Sequence, residues 1–122
     1  RARLDERAEE PVSGFSRGMR QRLALERSLI HKPRLVLLDE PFTGLDDRST
    51  TELIERLREL SKEDRLIVVA THDLDIAGDV LDRAVVLRTG RITELPDGHG
   101  SLRSRYRELV TVGGSMEQRA DV

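Results

Sequence analysis

Short apolar runs alternate along this chain with longer stretches in which apolar residues recur three or four positions apart. Placing Ser16 as an N-cap lets Met19, Leu23, Ile30 and their apolar neighbours fall at helical spacing, and Pro33 closes that helix near His31. Residues 35–38 are a continuous apolar run, short enough for a buried parallel strand. Pro41 and Gly44 then punctuate a loop, and a second helix begins at Asp46 or Asp47 with Leu53, Ile54, Leu57 and Leu60 in one stripe. Residues 66–70, rich in β-branched side chains, predict another buried strand that ends at Thr71-His72.

The second half is shorter in its periods. A helix over 75–82 leads to an apolar run, 84–87, which with residues 91–93 flanks Arg88-Thr89-Gly90 and predicts a hairpin. Residues 96–100 form a loop, and Leu102, Tyr106, Leu109 and Val110 predict a terminal helix with a frayed tail over 113–122. Before the first of these helices, residues 1–10 read as the end of a charged helix, followed by a loop at Pro11 and Gly14. Alternating helices and buried strands predict an α/β fold with a mostly parallel sheet and flanking helices.

Composition narrows the class. Hydrophobic residues at 37% and charged residues at 36% of a 122-residue chain fit a globular domain. A net charge of -2 argues against a nucleic-acid partner, and the lack of cysteine excludes disulfides and thiolate metal sites. Neither a membrane span nor a signal peptide is seen, so a soluble cytoplasmic chain is the default reading. His31 and His99 read as solvent-facing or loop residues, and Glu52 to Arg65 as a solvated helix face with pairs such as Glu52-Arg56.

Ligands of open parallel sheets collect outside the carboxyl ends of the strands. Two strands here end in chemically capable residues, Asp39-Glu40 and Thr71-His72, which places both pairs on one sheet edge. A carboxylate there suits Mg²⁺, its neighbour can orient or deprotonate a water, and a histidine can contact a terminal phosphate. Seen alone, an acidic pair after a strand is more often a helix cap or a solvated loop, and a lone histidine is usually structural. The combination favours phosphoryl-transfer chemistry. Ser16 and Gly18, where a loop becomes a helix, are a third element: free backbone N–H groups, a hydroxyl and a glycine at a helix start suit a phosphate, though an ordinary capped helix explains them equally well.

The ordered stretches FSRGMRQR, LVLLDEP, TGLD and ATHD resemble the ATP-binding cassette (ABC) ATPase family over roughly residues 1–95. The resemblance implies a P-loop NTPase-like domain that takes ATP and Mg²⁺. Phe15, Ser16, Arg17, Gly18 and Met19 then correspond to the signature motif, which meets the γ-phosphate of ATP held by an opposite subunit. Asp39 corresponds to the Mg²⁺-holding aspartate, Glu40 to the general base, Asp46 to the residue that couples two subunits, and His72 to the switch histidine. Arg17 stands where the family usually has glycine, Met19 where it has glutamine, and Glu26 where it has alanine. The FSRGM form also occurs in family branches that resemble ABC-2 type and heme exporters.

No G-x-x-x-x-G-K-[ST] phosphate loop occurs, since neither lysine, Lys32 or Lys62, follows a glycine. The chain is therefore expected to be the C-terminal portion of a nucleotide-binding domain over 1–112: the end of a helical subdomain with the signature helix (1–32), core strands and helices (33–95) and a C-terminal helix (96–112). On its own it should bind ATP weakly and expose apolar surface and strand edges. The resemblance further implies a second nucleotide-binding subunit, transmembrane permease subunits and a peripheral place on the cytoplasmic face of a membrane. It points to an exporter ATPase, of heme for cytochrome c biogenesis or of the ABC-2 drug and polysaccharide type. A DNA-repair ABC ATPase would show long heptad insertions that are not seen, and a non-catalytic binding module is the other rival.

Overall fold

A computed structural model describes residue 9 and residues 15–120, the last eight of these by backbone alone. The charged helix expected over residues 1–10 and the loop at Pro11 and Gly14 lie outside the described residues, Glu9 apart. The chain divides into two units, residues 1–72 and 73–122.

In the first unit, α1 (Arg17–Leu29) is followed by β1 (Leu35–Asp39), α2 (Asp47–Ser61) and β2 (Leu66–Ala70). Ser16 caps α1 by accepting a hydrogen bond from the Met19 backbone N–H at 3.2 Å, as its position predicts. Leu25 and Leu29, four residues apart, form the buried face of this helix, whereas Leu23 is half-buried. Ile30, expected in the apolar stripe, is 68% exposed because the helix ends one residue earlier and Ile30 serves as its C-cap. The second helix begins with Asp46 as N-cap and buries Leu53, Leu57 and Leu60 on a single face. Each such leucine contributes roughly 1.5–3 kcal/mol by leaving water.

β1 and β2 pair in parallel with Leu35 opposite Leu66 and Asp39 opposite Ala70, so α2 is the crossover of a β-α-β unit. The strands are buried on one face alone, which corrects the expectation of two fully buried strands. Val36 is 4% exposed, but Leu35, Leu37, Leu66 and Val68, which share the opposite face by the period-two rule, are 46–69% exposed. Part of the apolar surface expected of the chain lies on that face, and Val85, Leu87 and Ile92 of the second unit are exposed as well.

In the second unit, α3 (Leu74–Val80) and α4 (Leu102–Ala120) accompany a hairpin of β3 (Val85–Arg88) and β4 (Arg91–Glu94). Ala77, Leu95 and Leu102 are its buried centre, with Leu74, Leu81, Ala84, Val86 and Leu109 packed around them. Asp75 and Arg103 join α3 to α4 through two parallel hydrogen bonds of 3.0 and 2.8 Å. Thr89 and Gly90 turn the hairpin with φ of 47° and 75°, the positive values that a two-residue hairpin loop of the primed type demands.

The backbone of α4 stays helical to Ala120, past the point where the sequence predicts a tail. Gly113 and Gly114 each cost about 1 kcal/mol in a helix, but Met116, Glu117, Gln118 and Ala120 beyond them are good helix formers. No described helix is long and apolar enough to cross a membrane.

Candidate functional site

The parallel register of β1 and β2 brings their carboxyl ends to one edge, and the chain turns sharply there. Glu40, the first residue past β1, has φ of 45°, a left-handed conformation that is rare for a residue with a long side chain. Its backbone N–H still extends the ladder to the Ala70 carbonyl at 2.7 Å, so the sheet itself fixes the twist. Backbone strain of this kind collects at functional sites. The turn aims the Glu40 carboxylate across to the end of β2.

Three donors from two consecutive residues converge on that carboxylate. Thr71 donates its hydroxyl to Oε2 at 3.2 Å, the His72 backbone N–H reaches Oε1 at 3.1 Å, and His72 Nδ1 lies 2.6 Å from the same oxygen. His72, chiefly through its ring hydrogen bond, holds the Glu40 carboxyl below the usual glutamate range, against a smaller opposing effect of burial. Glu40 is therefore a carboxylate at neutral pH. The sequence brought Glu40 and His72 to one edge without joining them; the structure joins them directly. Thr71 is the third partner, and its adjacency to His72 in ATHD was the available signal.

Asp39 ends β1 beside Glu40 and is exposed. Mg²⁺ is commonly held by one or two carboxylates, with water and phosphate oxygens completing its shell, and an exposed aspartate at a strand's carboxyl end fits that role. Among the described residues no group of three His, Cys, Asp or Glu could hold a metal, so any cation here would depend on ligands from water and phosphate.

The remaining candidates cluster where α1 and α2 begin. Phe15 is 7% exposed, so its ring anchors the turn in the core, while its carbonyl accepts from Arg20 Nη1 at 3.1 Å. Ser16 is exposed, and Arg17, Gly18 and Met19 form the first turn of α1. The sequence reading gives Gly18 to phosphate approach, but its close neighbour is α2. A Cβ built on Gly18 would overlap the Ser49 hydroxyl and lie 2.8 Å from Ser49 Cβ.

Asp46 accepts from the Ser49 backbone N–H at 2.7 Å. That bond, helped by the Ser49 hydroxyl and by Arg48, holds its carboxyl below the usual aspartate range. The residue expected to reach another subunit thus also caps α2.

Glu26, unexplained by sequence, forms a two-pronged ion pair with Arg56 at 2.7 and 3.1 Å. One turn earlier Arg22 meets Glu52 at 2.6 Å. The predicted Glu52-Arg56 pairing within α2 is replaced by these bonds to α1, because the two helices lie side by side and each side chain finds a partner across the groove.

Known proteins resemble this chain in sequence and in fold. A profile of the ABC transporter family matches residues 1–43. The uncharacterized ABC transporter ATP-binding protein YxlF of Bacillus subtilis is 39% identical over 90 residues, covering 74% of this chain and 30% of that protein. The Nod factor export ATP-binding protein I of Neorhizobium galegae is 43% identical over 91 residues, covering 75% of this chain and 26% of its own length. The L-cystine transport system ATP-binding protein TcyN of Escherichia coli is 40% identical over 80 residues, 66% of this chain and 32% of that protein.

The chain therefore spans between about a quarter and a third of the length of these three relatives. Among solved structures, an ATP-binding cassette of an ABC transporter in its ADP conformation superposes with a TM-score of 0.73 at 21% identity, over 84% of this chain and 40% of that one. An inward-facing putative metal-chelate type ABC transporter gives 0.70 at 23% identity, over 84% and 39%. By its motifs, its fold and these relatives, the chain belongs to the ABC transporter ATP-binding family.

Proposed function

We propose that this chain supplies the hydrolytic edge of an ATPase that powers a membrane transporter. The observation that carries this reading is the Glu40 carboxylate, turned out of β1 by its positive φ and met by Thr71 and His72 of the neighbouring strand. Glu40, ionised at neutral pH, accepts the proton of a water that attacks the terminal phosphate of ATP. His72 orients Glu40 through Nδ1 and stands where a γ-phosphate is sensed. Asp39 would hold Mg²⁺, which when bound offsets phosphate charge. Ser16 and Gly18 contact ATP bound to a second nucleotide-binding subunit, with Phe15, Arg17 and Met19 framing that contact and Asp46 reaching across the interface.

Partner permease subunits at the cytoplasmic face of a membrane turn closure of the ATP-bound dimer into transport. Export is the direction we assign: the relatives named for Nod factor export support it, and the FSRGM form agrees. Heme as cargo for cytochrome c biogenesis rests on the FSRGM form, the PFTGLD loop, the ATHDLD stretch and the LRSRYREL helix, and ABC-2 type drug or polysaccharide export has most of these features in its favour. A transporter relative named for L-cystine marks how little these residues say of cargo.

The test is Glu40→Gln in the full-length protein. ATP hydrolysis should fall about a hundredfold or more while ATP binding persists, as expected when a general base is removed. Hydrolysis equal to wild type would remove Glu40 from this role.

A further inference from the structure

Arg17 is the first residue of α1, directly after the capping Ser16. A cation is unfavourable at a helix N-terminus, where the peptide dipoles already leave partial positive charge, and the first turn of α1 holds no acid to offset it. The side chain is accounted for elsewhere. A Cβ built on Gly44, in the loop between β1 and α2, would lie 2.7 Å from Arg17 Cζ, 2.7 Å from Nη1 and 2.9 Å from Nε.

A point so nearly equidistant from three atoms of a planar group must lie well above its plane, since the equidistant point within the plane is only one bond length from each. The guanidinium therefore lies broadside against Gly44. That residue takes φ of 72° and carries no Cβ, which leaves room for the plane.

Gly44 is two residues ahead of Asp46, and Leu45 between them donates its backbone N–H to the Phe42 carbonyl at 3.2 Å. One residue beyond Arg17, Gly18 packs on Ser49 of α2. The start of α1 thus meets the loop at Gly44 and the first turn of α2 at Ser49, and Arg17 supplies the first of these contacts.

We propose that Arg17 is a positioning residue whose guanidinium plane holds the segment from Gly44 to Asp46 against the turn at Ser16 and Gly18. Both sets of residues then approach a nucleotide-bearing second subunit as one rigid edge. This rests on the reading under Proposed function. A planar group is required, so lysine cannot replace it.

The experiment compares wild type, Arg17→Ala and Arg17→Lys in the full-length protein by two measurements. Amide hydrogen exchange at Gly44, Leu45 and Asp46 without nucleotide should speed up in both variants. In ATP hydrolysis, kcat should fall about tenfold with KM for ATP within about twofold of wild type, as for misplacement of groups that act in the transition state. Unchanged exchange in Arg17→Ala overturns the proposal. So does recovery by Arg17→Lys together with a raised KM in Arg17→Ala, which would make Arg17 a charge on phosphate. A wild type that hydrolyses no ATP would overturn the ATPase reading instead, while the exchange rates still decide whether Arg17 holds the loop.

Discussion

His72 Nδ1 lies 2.6 Å from Glu40 Oε1, joining residues 32 positions apart through the parallel register of two strands. This bond is the main reason the Glu40 carboxyl titrates below its ordinary range. Replacing His72 by alanine should move the Glu40 titration up toward 4.5. Carboxyl NMR on protein labelled at glutamate reads the change directly, and an unmoved Glu40 would assign the shift to Thr71 and the backbone instead.

The same bond sets the sign of an acid effect. Because the folded-state pKa of Glu40 is lowered, its contribution to stability is complete above the unfolded value and is lost as pH falls through the folded one. Asp46 and Asp75, also lowered by their hydrogen bonds to Ser49 and Arg103, act in the same direction. The thermal midpoint of wild type should therefore fall as pH drops below about 4.5, and it should fall less steeply in His72→Ala. Parallel pH profiles for the two proteins would remove the linkage to Glu40.

Gly18 is a packing glycine as much as a site residue. Gly18→Ala puts a methyl group against the side chain of Ser49 on a neighbouring helix, and overpacking of this kind costs about 1–3 kcal/mol. Adding Ser49→Gly removes both the hydroxyl and the Cβ that the methyl meets. Urea denaturation of the single and double variants should show partial recovery in the double. Equal losses in both would mean that the backbone of α1, rather than Ser49, opposes the side chain.

Glu26 and Arg56 are each about three-quarters buried by their side chains and share two hydrogen bonds. Removing Glu26 leaves a guanidinium with fewer partners, though Glu59 still reaches it at 3.2 Å. The pair lies between exposed ion pairs, worth under about 1 kcal/mol, and charge-assisted bonds of buried groups, worth about 1.5–3 kcal/mol. A double-mutant cycle with Glu26→Ala and Arg56→Ala should give a coupling of about 1–1.5 kcal/mol, between those two ranges. A coupling near zero would leave Glu26 with no stabilising role between α1 and α2.

The contrast between Glu40 and Glu26 shows what was legible in the sequence. Apolar runs fix where a parallel strand ends, and parallel pairing sends both ends to one edge, so Asp39-Glu40 and Thr71-His72 could be brought together from pattern alone. The span of β2, residues 66–70, follows from the same run. Which side chain of one helix faces which of the next depends on their crossing, and local spacing does not encode that. Glu26, the partner of Glu52 and the neighbour of Gly18 were hidden for this reason. The length of α4 was missed because two glycines outweighed, in a local reading, the helix formers that follow them.

Leu35, Leu37, Leu66 and Val68 form two directly paired rows on one face of the β1–β2 sheet and remain 46–69% exposed. An apolar strand face of this kind, on a sheet that has two strands among the described residues, invites pairing between copies of the chain. Leu37 is the most exposed of the four at 69%, so replacing it with lysine adds charge while sacrificing little burial within this chain. The 122-residue chain expressed alone should stay in solution at higher concentration as Leu37→Lys, with a melting temperature close to that of the parent. Light scattering against concentration, read beside circular dichroism melts, measures both. A lower melting temperature without improved solubility would show that Leu37 is packed in solution and that aggregation begins elsewhere.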